Sequence, residues 1–187
     1  ELKQELRRQQ LKYFDSGLIP EEMRKRITSE KKTTVHAFVR DPKLYPLAQY
    51  LDYADLALSR KKKNLNTLTQ GLLNSDPVMR YWSVIGLLLL EKQAKSAIPG
   101  LKNVLKDQDE IPAFAAWAIY KAGGKAFAEK WMLEAITQNP ENKTLANIFD
   151  WMGTKSHALL GKIPAEKLPQ KGLLKDVIKR SGILEEG

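Results

Sequence analysis

The chain has no cysteine in its 187 residues. That absence excludes disulfides, a thiolate nucleophile and thiolate metal ligands, and it is compatible with either redox compartment. Histidine is nearly as scarce. His36 and His157 are the only two, and neither has a His or Glu partner at helical spacing. An isolated histidine is more often a satisfied structural residue than a ligand, so no metal site and no cofactor are expected in this chain. Long apolar runs are missing as well: Val84-Ile85-Gly86-Leu87-Leu88-Leu89-Leu90 stops at Glu91, far short of the ~20 residues that cross a bilayer. No glycine-rich phosphate loop is present, because Gly123-Gly124 lacks a Gly-Lys-Ser/Thr ending. No serine stands in a nucleophile elbow with a histidine to activate it. No stretch alternates with period two for long enough to predict a strand. The sequence opens on Glu1-Leu2-Lys3-Gln4-Glu5-Leu6, an amphipathic pattern that is expected to be an internal helix of a longer protein rather than a signal peptide.

What is present is ordinary globular composition, 43% hydrophobic and 28% charged, which predicts one continuous folded domain. The net charge of +9 raises the question of a polyanion partner. The excess is spread, at +4 over residues 1–43, +3 over 44–100 and +2 over 101–187, so a nucleic-acid footprint is not favoured. The densest run is Arg60-Lys61-Lys62-Lys63. Cations beyond the last turn of a helix interact well with its dipole. The run therefore reads as solvated charge, with a contact patch for a sulfated glycan as the alternative.

The most informative stretch is residues 71–124. Placing Leu73 on Leu105, Trp82 on Phe114, Ser83 on Ala115 and Gly86 on Ala118 needs no gap, and a fixed offset of roughly 30 residues is the mark of helical-pair repeats. Each unit is a helix, a polar turn and a second helix. One such pair cannot bury its apolar face alone, so units stack into a solenoid. The predicted fold is all-α: a HEAT-like helical-repeat superhelix over residues 64–153, with an irregular helical lead-in over 1–63 and a degenerate cap over 154–187.

Local signals fill in that outline. The lead-in opens with a helix expected to run to Ser16 and to be closed by Gly17. A second begins at Leu18-Ile19-Pro20, a third after the hydroxyl cap Thr34, and a fourth after Tyr45-Pro46. Asn64 is expected to cap the first repeat helix, with Leu65, Leu68 and Leu72 inside. Ser75 is expected to cap the helix beginning at Pro77, and Asp107 and Asp109 to cap the one after it. Asp52 and Asp55 lie on an exposed helix face. A helix over 126–136 follows, then a weaker third repeat carrying Leu145, Ile148, Phe149 and Met152. Beyond Thr154 the pattern breaks at Ile163-Pro164 and Leu168-Pro169, with a last short helix near 173–178.

Two residues are candidate contacts between repeats. Arg80 is expected to bond an acid such as Asp107 or Asp109. Trp82, with Trp117 and Trp151 on successive second helices, suits packing between layers, since such rings bury large areas. An aromatic ledge for bases or sugars is the competing reading.

Asp76-Pro77-Val78-Met79-Arg80-Tyr81-Trp82-Ser83 followed by Gly86-Leu87, then Ala97-Ile98-Pro99, resembles bacterial HEAT-like repeats. The upstream segments narrow this: Tyr13-Phe14-Asp15-Ser16-Gly17-Leu18-Ile19-Pro20, Thr34-Val35-His36-Ala37-Phe38-Val39 and Tyr45-Pro46-Leu47. Together they are similar to the region that follows the catalytic domain in bacterial secreted sulfatases of the arylsulfatase and heparan N-sulfatase-like kind. The resemblance covers about residues 10–153. It implies a covalently linked sulfatase domain as partner, a sulfated glycan as substrate, calcium and formylglycine as the parent's cofactors, and a periplasmic or secreted location. It does not make this chain catalytic. The formylglycine motif needs Cys or Ser followed by x-Pro/Ala-x-Arg, and in Ser75-Asp76-Pro77-Val78-Met79 the arginine position is Met79. A stand-alone protein-interaction solenoid and a HEAT-like nucleic-acid binder are the alternatives.

Overall fold

In a computed structural model, the described residues, 1–167 and 172–182, form helices joined by turns, with no strand among them. The lead-in contributes α1 (Leu2–Lys12), α2 (Glu21–Glu30), α3 (Val35–Arg40) and α4 (Leu47–Leu58). Then come α5 (Leu65–Gly71), α6 (Pro77–Leu90), α7 (Ile98–Asn103), α8 (Ile111–Lys121), α9 (Lys125–Gln138), α10 (Lys143–Met152), α11 (Thr154–Leu160) and α12 (Leu173–Arg180).

The helix ends show which side chains do the capping. Asp76 caps α6, its Oδ1 accepting the Val78 N–H at 2.8 Å ahead of Pro77 in the first turn. The expected cap, Ser75, is one residue too early and lies exposed in the turn. Thr34 does cap α3, accepting from Ala37 N–H at 3.2 Å, and Asn142 caps α10 at 2.9 Å. Asn64 does not cap α5. Its amide donates instead to the Leu56 carbonyl and to Ser59 Oγ, closing the C-terminal end of α4, where carbonyls lack helical partners. α1 stops at Lys12, earlier than a helix closed by Gly17 would. Phe14 enters the left-handed region at φ 55°, and Asp15 folds back to accept the Gly17 N–H at 2.8 Å. The Gly123-Gly124 break is as expected: Gly123 has φ 107°, and the Gly124 N–H returns to the Ile119 carbonyl at 2.9 Å.

Packing follows an alternating order. α4 lies against α6, α6 against α8, α8 against α10 and α10 against α12, while α5 packs on α6, α7 on α8, and α9 on both α8 and α11. α6 approaches its neighbours closely because position 86 has no side chain. A Cβ there would sit 2.6 Å from Leu68 Cδ2 and 3.1 Å from the Ala57 Cα. In α8, Ala115, Ala116 and Ala118 are likewise fully buried small residues. One apolar core runs from Leu18 and Met23 of the lead-in through Val84, Leu87 and Ile119 to Phe149 and Ile178.

The tail departs from the expected breakdown. α11 forms at once after Gly153 (φ 58°), with the Ser156 hydroxyl donating to the Gly153 carbonyl at 2.7 Å and Leu159 and Leu160 buried. α12 then lays Leu174, Val177 and Ile178 against α10. Leu168-Pro169 lies outside the described residues.

Candidate functional site

The turn between α7 and α8 gathers contacts from far along the chain. Asp107 Oδ2 accepts from Arg80 Nε at 2.6 Å, and the same guanidinium donates to the carbonyls of Asn74 (2.8 Å) and Ser75 (3.0 Å). Asp109, at φ 60° and with its side chain 8% exposed, receives Arg26, whose Nε donates to Oδ1 at 3.1 Å while Nη2 lies 2.8 Å from Oδ2. A two-pronged guanidinium–carboxylate pair is the strongest form such a bond takes. Asp107 and Asp109 thus do not cap α8, as expected of them; they hold α6 and α2. Sequence spacing carried no sign of the second pairing, because its partners are 83 residues apart.

Glu110, next in the turn, is the buried acid that sequence reasoning passed over. Its side chain reaches α2, where Oε1 accepts the Glu22 N–H at 3.1 Å in the first turn of that helix. Oε2 is buried without a hydrogen-bond partner among the described residues. Burial pushes this carboxyl above the ordinary range of a glutamate, opposed by surrounding backbone N–H groups. The nearby Tyr81 phenol is pushed up to about 12, chiefly by burial and then by the charge of Glu110. The only sequence hint was position: an acid just ahead of Ile111-Pro112, where a strong apolar helix starts.

Trp82 is half-buried and its indole N–H donates to the Leu18 carbonyl at 3.0 Å, so its hydrogen bond goes to the lead-in. From it a chain of rings extends. Tyr81 meets Trp82 at 5.5 Å and Phe114 at 5.8 Å, both edge to face, and Trp151 stacks on Phe114 at 6.4 Å and on Trp117 at 5.6 Å. Trp117 and Trp131 pack half-buried against the core. Trp151 departs from the packing expectation and is 56% exposed. Between these rings and Glu110 lies a cavity of about 260 Å³, with Asn147, Thr144, Pro20 and Gly17 completing its wall.

Arg60, Lys61, Lys62 and Lys63 are elsewhere, at the join of α4 and α5. All four are exposed and none makes an ion pair among the described residues. Arg60 has φ 54°, so the cations turn outward at a bend. The structure therefore brings Arg80 and Trp82 together on one helix beside the lead-in and leaves the cationic run separate from them.

His36 is exposed and His157 half-buried. No group of three metal-ligating side chains occurs among the described residues, and no helix among them is long and apolar enough to cross a membrane. The residues nearest a formylglycine motif do not fit one. Asp76 is occupied by Val78 N–H and the Tyr50 hydroxyl (2.6 Å), and Arg80 by Asp107. No family model, curated protein or solved structure matches the chain.

Proposed function

We propose that the chain is a non-catalytic, HEAT-like helical-repeat domain that serves as the C-terminal accessory scaffold of a bacterial sulfatase acting on sulfated glycans. The observation that carries the repeat reading is the order of packing: α4, α6, α8, α10 and α12 each touch the next, with α5 packed on α6, α7 on α8 and α9 on α8. Such stacking gives every helix pair a neighbour to cover its apolar face, which one pair cannot supply. The sulfatase reading rests on the resemblance of the lead-in segments. One of these segments is fastened to the helix array, the Leu18 carbonyl accepting from the Trp82 indole, while the Tyr45 hydroxyl donates to the Asp15 carbonyl within the lead-in itself.

In this reading the covalently linked catalytic domain carries the formylglycine and calcium chemistry, and the enzyme works in the periplasm or outside the cell. The test is the complete reading frame. It is expected to encode, ahead of this region, a Cys or Ser followed by x-Pro/Ala-x-Arg, and this chain alone is expected not to hydrolyse a chromogenic sulfate ester. A full-length frame without that motif, or turnover by the isolated chain, contradicts the proposal.

A further inference from the structure

Two features of the ring-lined cavity lack an explanation in the fold. Glu110 is 7% exposed and lines it, yet only Oε1 has a partner. Fixing the first turn of α2 uses that one oxygen and leaves Oε2 buried without a bond among the described residues, an arrangement that costs more than an ordinary missing hydrogen bond when the group is ionised. The second feature is Trp151, a large ring 56% exposed although two aromatic neighbours stack on it.

The lining narrows the ligand. No lysine or arginine among the described residues borders the cavity, so a sulfate or phosphate finds no counter-charge from them there. Of the guanidiniums on α2, Arg26 is committed to Asp109 and Glu30, and Arg24 to Ser16. A purely apolar ligand would leave the carboxyl of Glu110 as it is. A cation answers both features, because aromatic faces attract positive charge within ~6 Å of their centroids and a buried carboxylate gains a counter-ion. The volume of about 260 Å³ admits a headgroup rather than a large molecule.

We propose that this cavity binds an organic ammonium group, held by the rings of Tyr81, Phe114 and Trp151 and by the carboxylate of Glu110. Asn147 and the exposed Trp151 also line it. The inference is independent of the sulfatase reading.

The test is a titration with choline, followed by tryptophan fluorescence and by amide chemical shifts, against its uncharged carbon isostere 3,3-dimethyl-1-butanol and against glucose. Saturable choline binding is expected, with the isostere weaker by about tenfold or more. Glu110→Gln keeps an acceptor for the Glu22 N–H but removes the charge, and should weaken choline about tenfold. Trp151→Ala should weaken it about fivefold while leaving the melting temperature unchanged, since the ring is largely exposed. A trimethyllysine peptide tells the sources apart: competition tighter than choline assigns the ammonium to a protein, weaker competition to a small molecule. Equal binding of choline and its isostere overturns the proposal. So do saturation by glucose but not choline, failure of choline to saturate, and a Glu110→Gln variant that binds choline as well as the parent.

Discussion

α1 and α8 are both eleven residues long, and they sit at opposite extremes of this molecule. α8 buries seven of its residues between α6, α7, α9 and α10. α1 buries none, and its leucines stand in solvent, Leu2 at 88% and Leu6 at 59% exposed. It is held to α4 by Arg7–Asp52 at 2.7 Å and Lys3–Asp55 at 3.0 Å, exposed pairs of the kind that contribute about 0–1 kcal/mol each. Both sequences have helical periodicity. Periodicity says which side chains share a face, not whether another element covers it.

Substitutions should break the two helices very differently. Ile119→Ala, at a fully buried site in α8, should cost about 2–5 kcal/mol through lost transfer energy and the cavity left behind, read as a large fall in denaturation midpoint. Gly86→Ala comes next at about 1–3 kcal/mol, because the new methyl meets Leu68 and the backbone of Ala57. Changes of that size in Leu6→Ala would show that α1 has a partner surface; the expectation there is within ±0.5 kcal/mol.

Glu110 gives a smaller effect of opposite sign. Its folded carboxyl is held above the unfolded value, so the native state binds that proton more tightly. The stability it supplies is complete below the unfolded glutamate pKa of about 4.3 and is lost as pH rises through the folded value. Asp109 beside it, with Arg26 paired to that aspartate, the first turn of α2 carrying Glu21 and Glu22, and the Tyr81 phenol are the groups that surround it. Glu110→Gln should therefore flatten the decline between acid and neutral pH and raise neutral-pH stability, checked by urea denaturation across that range. Replacing Lys61, Lys62 and Lys63 by Gln should do least, a few tenths of a kcal/mol each, with heparin retention little changed if the run is solvated charge.

Much of the fold was legible because it depends on local pattern. The glycine break at residues 123–124, the Thr34 cap and the helix opening after Tyr45-Pro46 are decided within a few residues, and each stands where the sequence put it. What was not legible depends on distance. Arg80 was expected to bond Asp107 or Asp109 and bonds Asp107, but Asp109 was read as a cap because its partner Arg26 lies 83 residues earlier. Ser75 and Asp76 are both competent caps, and the carboxylate one residue later reaches Val78 N–H. Glu110 gave no signal beyond its position ahead of Ile111-Pro112, since its partner lies on α2, 88 residues earlier. α11 was missed because a glycine-rich, proline-broken tail hides a seven-residue helix.

The central claim is that the lead-in from α2 onward and the helix array form one cooperative unit, clasped through Arg26–Asp109, Glu22–Glu110 and Leu18–Trp82, while α1 stands outside it. Native-state amide hydrogen exchange along the whole chain measures this directly. The account predicts that α2, α6 and α8 open together at the free energy of global unfolding, and that α1 exchanges orders of magnitude faster. An α2 that opens independently of α8, or an α1 protected as strongly as α8, would contradict it.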